Sequence, residues 1–161
     1  MKQVRLDRAI LAGVVATLVM TLMIYAAPHL GGPRMDIAAM LGSRLHGGQM
    51  PAPLSSYWWM GMMMHWVNGA ILFPLFYAYV LYPLLPGRPW VRGLTWGLIL
   101  WFIEEAMVLP MMGNGFFSAK APNPMMAVMA GLMAHLIYGA ILGALAGPQA
   151  QREVLPRYAA Q

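Results

Sequence analysis

The chain has 161 residues, of which 60% are hydrophobic and 9% charged, whereas a soluble domain carries about 25% charge. With a mean hydropathy of +0.61, too few charged groups remain to clothe a water-soluble core of this size. The arithmetic excludes a disordered chain or a nucleic-acid-binding domain, argues against a soluble enzyme, and points to a small integral membrane protein. The absence of Cys removes disulfides, iron–sulfur clusters, thiolate metal sites and Cys nucleophiles.

A span needs about 20 predominantly apolar residues. In chain order, four runs qualify, at 9–27, 58–82, 91–112 and 125–146. The first follows a basic segment but ends in Tyr25-Ala26-Ala27, a poor cleavage site, so it is read as a helix and not as a signal peptide. Pro28, Gly31, Gly32 and Pro33 break the chain after it. The long connection 28–57 contains an amphipathic pattern, with Ile37, Met40, Leu41 and Leu45 on one face. This pattern predicts a short helix lying on the membrane surface. Pro83 and Pro86-Gly87-Arg88-Pro89 separate the second and third runs. Gly113-Asn114-Gly115 and Pro122-Asn123-Pro124 separate the third and fourth, and Gly147-Pro148 ends the last. Trp58, Trp59 and Trp90 stand at run ends, where an aromatic belt is expected.

Lys2, Arg5, Arg8, Arg88, Arg92, Arg152 and Arg157 fall on one side of this arrangement, and Arg34, Arg44 and Lys120 on the other. By the positive-inside rule both termini are expected in the cytoplasm.

Positions 61–72 recur at 131–142 with seven of twelve residues identical, in the pattern G-x-M-x-H-x-x-x-G-A-I-L. The expectation is a duplicated helical hairpin, 9–82 against 91–147, with an axis along the membrane normal. An offset of eighty pairs Gly13 with Gly93, Thr17 with Gly97, Thr21 with Trp101 and Tyr25 with Glu105. Small or polar residues recur four apart on every run. They include Gly13, Thr17 and Thr21; Gly61, His65 and Gly69; Gly93 and Gly97; and Gly131, His135, Gly139 and Gly143. Such lines let helix backbones approach closely in lipid.

Ionisable residues inside apolar runs are costly, about 2.5–3.5 kcal/mol at the bilayer centre on insertion scales. His65, Glu104, Glu105 and His135 are of this kind. With Thr21, Tyr25, Asn68 and Tyr138 they form a candidate intramembrane polar cluster in one layer. Adjacent Glu104 and Glu105 point about 100° apart on a regular helix, so one narrow site would take both only if the helix were distorted. Several uses stay open. His65 and His135, flanked by glycines, could be the axial ligands of a b-type haem. With Glu105 they could hold a transition metal. The layer could carry protons or a substrate, centred on Glu105. It could also be a hydrogen-bonded register lock in a non-catalytic accessory or oligomeric bundle held by its glycine lines. Met60, Met62, Met63, Met64, Met111 and Met112 raise Cu(I) binding, against flexible packing. Partners, on this reading, are the bilayer and either a second copy or a larger membrane complex, with no nucleic acid.

The stretches Leu11-Ala12-Gly13-Val14-Val15-Ala16-Thr17, Met35-Asp36-Ile37-Ala38-Ala39-Met40-Leu41-Gly42, the His65 and Gly69 segment, and His135-Leu136-Ile137-Tyr138-Gly139-Ala140 resemble a family of short bacterial integral membrane proteins known as a domain of unknown function. The resemblance implies a four-helix inner-membrane protein and carries over no activity. Glu104-Glu105 lies outside the resembling stretches. The fold class expected is all-α: a polytopic four-helix bundle built from a duplicated hairpin, with one short amphipathic helix in the first connection.

Overall fold

The computed structural model describes residues 4–147. Lys2, Pro148, Arg152 and Arg157, which enter the orientation count and the last turn, lie outside the described residues. Those described are all-helical, without a strand. Four helices are long and apolar enough to cross a membrane. They are α1 (Leu6–Ala26), extended by a tighter turn over Ala27–Leu30; α3 (Ser56–Leu81); α4 (Pro89–Met111); and α5 (Pro124–Ala146). The short α2 (Ile37–Ser43) lies between α1 and α3. Side chains cap three of the starts. Asp36 accepts from the Ala39 amide at 2.9 Å, Ser55 from Trp58 at 3.4 Å and Asn123 from Met126 at 3.2 Å, each satisfying an amide that the helix leaves free.

Glycine decides which helices touch. Gly93 and Gly97 of α4 lie directly on Gly139, Gly143 and the His135 backbone of α5, where an added Cβ would collide with carbonyl oxygens. Gly13 of α1 lies in the same way on Gly69, Ala70 and Pro74 of α3, and Gly69 is filled by the Thr17 side chain. α1 also packs along α5, so the helices follow the order α3, α1, α5, α4, and the backbones of α3 and α4 stand apart. Near the chain termini that gap is closed by aromatic rings. Trp96 packs against Phe73 and Phe76 with centroids 6.1 and 5.5 Å away, and the Tyr77 hydroxyl donates to the Pro89 carbonyl at 3.3 Å.

Three wide helical turns interrupt α3 and α4, at Asn68–Leu72, Tyr77–Leu81 and Glu104–Val108. Each is followed two residues later by proline: Pro74, Pro83 and Pro110. Proline has no amide proton, and its ring crowds the carbonyl four residues back. The chain answers by widening the turn, so that Phe73, Tyr82 and Leu109 donate to the carbonyls of Asn68, Tyr77 and Glu104, five residues back. The next donor in that register would be the proline itself, which leaves the Gly69 carbonyl without a helical partner. The Tyr138 hydroxyl of α5 fills the role, donating to it at 2.6 Å.

The helix expected on the membrane surface is present as α2, but its small face does the docking. Ala38, Ala39, Gly42 and Ser43 are buried, with Gly61 pressed onto Ala38 and Gly42, and Gly42 onto the Tyr57 backbone. Close helix contact requires side chains without bulk, so the bulky Ile37, Met40 and Leu41 turn instead into a space between the helix ends. Leu45 lies beyond the helix and is exposed.

Candidate functional site: a chamber headed by two histidines and a glutamate

That space is a cavity of about 880 Å³ in the half of the bundle nearer the α1–α3 and α4–α5 connections, lined by all four long helices and by α2. Trp96, Phe73 and Phe76 form its floor, and Met20, Met23, Met35, Met40, Met112 and Met133 contribute to its walls. Leu72, Phe76 and Ile103 line it while being 52%, 47% and 38% exposed. It therefore opens onto the apolar surface between α3 and α4, and also beside Leu30 and Met133, which line it and are likewise exposed. Its polar lining is confined to a few groups, chiefly Thr17, His65, Asn68, Glu104, His135 and Tyr138.

Hydrogen bonds define the state of both histidines. The Thr21 hydroxyl lies 2.7 Å from the Thr17 carbonyl and 2.8 Å from His65 Nε2. A carbonyl only accepts, so the single hydroxyl proton goes to Thr17, and His65 Nε2 must donate to Thr21. In the neutral ring, Nδ1 is then the acceptor. His135 Nδ1 lies 3.0 Å from the Gly131 carbonyl, so that nitrogen carries the proton and Nε2 holds the lone pair. Glu104 Oε2 approaches His135 Nδ1 to 3.5 Å, but the Nδ1 proton is directed at Gly131, and this buried oxygen has no hydrogen-bond partner.

The two acids divide. Glu105 is buried and does not line the cavity. Its Oε2 accepts from the Ser118 hydroxyl at 3.0 Å. Ser118 and its neighbour Phe117 have φ of 54° and 49°, left-handed values costly for residues other than glycine. The connection thus holds two strained residues in the turn that brings Ser118 to Glu105. Glu104 lines the chamber. The wide turn over Glu104–Val108 supplies the distortion that a regular helix would need. Both carboxyls reach Gly131, where a Cβ would lie 3.3 Å from Glu105 Oε1 and 3.4 Å from Glu104 Oε2.

The expected cluster is therefore brought together only in part. His65, His135, Glu104, Asn68 and Tyr138 meet at the chamber, and Thr21 supports His65. Tyr25 does not join them. Its hydroxyl donates to Asp36 at 2.9 Å, and the Trp58 indole donates to the same carboxylate at 3.0 Å. Trp58 is consequently buried and not an interfacial belt residue, unlike the exposed Trp59 and Trp90. Among the described residues no three His, Asp or Glu side chains form a metal-binding group. Of the methionines suggested for copper, only Met112 lines the chamber. Gly61, Gly69, Gly139 and Gly143 serve as packing positions, as read, while Gly131 makes room for the carboxyls. Sequence reading passed over Asp36, Ser118, Pro74 and Pro110. A proline inside an apolar run was a usable signal for the last two; Ser118 carried none.

A family model matches residues 3–155 of the chain and is described as a family of unknown function, DUF6789. The chain belongs to that family. No curated protein and no solved structure matches it.

Proposed function

We propose that this chain is a small integral membrane protein, non-catalytic, whose glycine-packed bundle houses an apolar small molecule in the chamber between α3 and α4. The observation that carries the reading is the chamber itself. Its volume of about 880 Å³ lies within the usual range for ligand sites, its walls are apolar, and its polar groups are few and convergent. The methionine walls suit a flexible guest, because unbranched thioethers adapt their shape. Exposed Leu11, Leu18, Leu22, Leu98 and Phe102 support lipid around the helices. Among the described residues the glycine lines are used within the chain, where they hold the bundle together.

Two further features belong to the same reading. Equivalent contacts, Gly13 and Thr17 on Gly69 and Gly93 and Gly97 on Gly139, support a duplicated hairpin. Arg5, Arg8, Arg88 and Arg92 lie at one end of the bundle and Arg34, Arg44 and Lys120 at the other, which supports cytoplasmic termini in an inner membrane. Because the chain lacks Cys, single Arg88→Cys and Lys120→Cys variants in intact cells would report the orientation by labelling; labelling of Arg88→Cys alone by an impermeant reagent would reverse it.

The experiment for the main reading is native mass spectrometry of protein extracted in mild detergent. We expect a retained apolar molecule near one per chain, lost in Ala130→Phe, which fills the wall. A variant that keeps the same adduct would remove the chamber from the account. One observation favours b-type haem as a second reading: His135 donates from Nδ1 to a carbonyl and keeps Nε2 available, the arrangement of a metal-ligating histidine. A Soret band in the purified protein that vanishes in His65→Ala and His135→Ala would support it, and a colourless preparation from haem-replete cells would sink it.

A further inference from the structure

We infer that the occupant of the chamber is an amphiphile with a hydroxyl-bearing head and a hydrocarbon body, its head held by His65, His135 and Glu104; this rests on the chamber being a binding site. At the polar end of the chamber free acceptors outnumber free donors, which are those of the Asn68 amide among the described residues. His65 Nε2 and His135 Nδ1 direct their protons to Thr21 and Gly131, so His65 Nδ1 and His135 Nε2 are left as acceptors. Glu104 lines the same space with its carboxyl, whose Oε2 is sealed away without a donor. Three acceptor-bearing side chains on three different helices, α3, α4 and α5, line one space. A head that supplied only acceptors would leave all of them unsatisfied, at about 1–3 kcal/mol for each buried group. Each O–H group on the head satisfies one of them.

Three other lining groups also lack partners. The Asn68 carboxamide, one turn from His65, carries both donor and acceptor, so it can serve a hydroxyl and an ether alike. The Thr17 hydroxyl is packed under Gly69. The Trp96 indole N–H lies eight residues from Glu104 on the same helix, about 12 Å away along its axis, in the floor beside Phe73 and Phe76. The floor is thus aromatic and the head end is acceptor-rich, so an elongated guest has one orientation. The mouth selects between neutral and charged heads. It is framed by Leu72, Phe76 and Ile103, and a charged ammonium passing an apolar mouth within a bilayer meets the insertion cost of a few kcal/mol that a neutral hydroxyl avoids.

The test uses the full chain in lipid nanodiscs and three probes of equal chain length: a decyl hydroquinone, its dimethyl ether and a long-chain ammonium. Equilibrium dialysis should show the hydroquinone binding at least about tenfold tighter than the ether, and the ammonium binding no better than the ether. His135→Phe and Glu104→Gln should each shrink the preference for hydroquinone over ether without abolishing ether binding. Equal binding of hydroquinone and ether would overturn the hydroxyl-head inference and leave the chamber standing. Ammonium binding tighter than hydroquinone would overturn it in favour of a cationic head. No binding of any probe, with the Ala130→Phe variant indistinguishable from the wild type, would overturn the chamber as a binding site.

Discussion

The two ends of the bundle are built from the same four helices and solve opposite problems. Towards the chain termini, α4 and α5 meet glycine against glycine, and aromatic rings close the gap to α3. At the other end the helices part around a chamber, and the contacts that remain are polar and specific: Asp36 with Tyr25, Trp58 and Ala39; Ser118 with Glu105; and Thr21 with His65. In lipid there is little hydrophobic gain in bringing two apolar helices together, so closeness has to come from small side chains or from hydrogen bonds. This chain closes its long helices on small side chains; at the open end only α2 docks on α3 in that way, and the other contacts are hydrogen bonds. Substitutions at the closed end should therefore unfold the protein, whereas those at the open end should change its occupancy and local motion more than its global stability.

The largest effect is expected for Gly139→Leu. Even a Cβ at this position would meet the Gly93 carbonyl, with Gly97 Cα at 2.9 Å. Overpacking of this kind costs about 1–3 kcal/mol for ordinary enlargements, and here the obstacle is backbone, so Leu should exceed that. Thermal unfolding in detergent checks it, and a midpoint equal to that of the wild type would break the distinction between the two ends. Next is Asp36→Ala, which strips a helix cap and leaves the Trp58 and Tyr25 donors unpaired. A loss of about 2 kcal/mol is expected. Hydrogen exchange should quicken over 36–43 before the long helices are affected. Uniform exchange across the bundle would show that α2 is not a separable element.

Tyr138→Phe should cost about 1 kcal/mol, the scale of hydrogen bonds between membrane helices. The account of Pro74 sharpens this. In a Pro74→Ala background the new amide can serve the Gly69 carbonyl, and Tyr138→Phe should then cost less; an unchanged cost in the double-mutant cycle would disconnect the tyrosine from the proline. The smallest effect is expected for Ser118→Ala, about 0.6 kcal/mol by the same measure. Unfolding in detergent should register it as a slight lowering of the midpoint, while hydrogen exchange in the 113–123 connection rises. A large global loss would mean that Glu105, and not the glycine seam, anchors this hairpin.

Much of the architecture was legible in the residues because a bilayer imposes simple demands. A run of about 20 apolar residues has one stable form, the helix, since every backbone polar group must be paired internally. Lines of glycine four apart announce close packing for a related reason, and Gly93, Gly97 and Gly139 do lie in such a seam. Proline between the runs marks where they end. The intramembrane acids and histidines were legible as costly, hence as worth locating.

What they contact was not legible. Glu104 and Glu105 are neighbours in sequence, and the wide turn before Pro110 lets both carboxyls reach Gly131, yet their other partners differ. Glu104 lines the chamber, and Glu105 is capped by Ser118 from the following connection. Tyr25 pairs with Asp36 rather than with the histidines because α2 folds back onto α3 through Ala38, Gly42 and Gly61. Periodicity along one helix describes a face, but it does not name the partner of that face. The low charge count, the four spans and the glycine lines were thus properties of the sequence by itself. The chamber, with the two histidines and the glutamate that line its polar end, exists only where α3 and α4 are held apart, and that separation is a product of packing among all four helices.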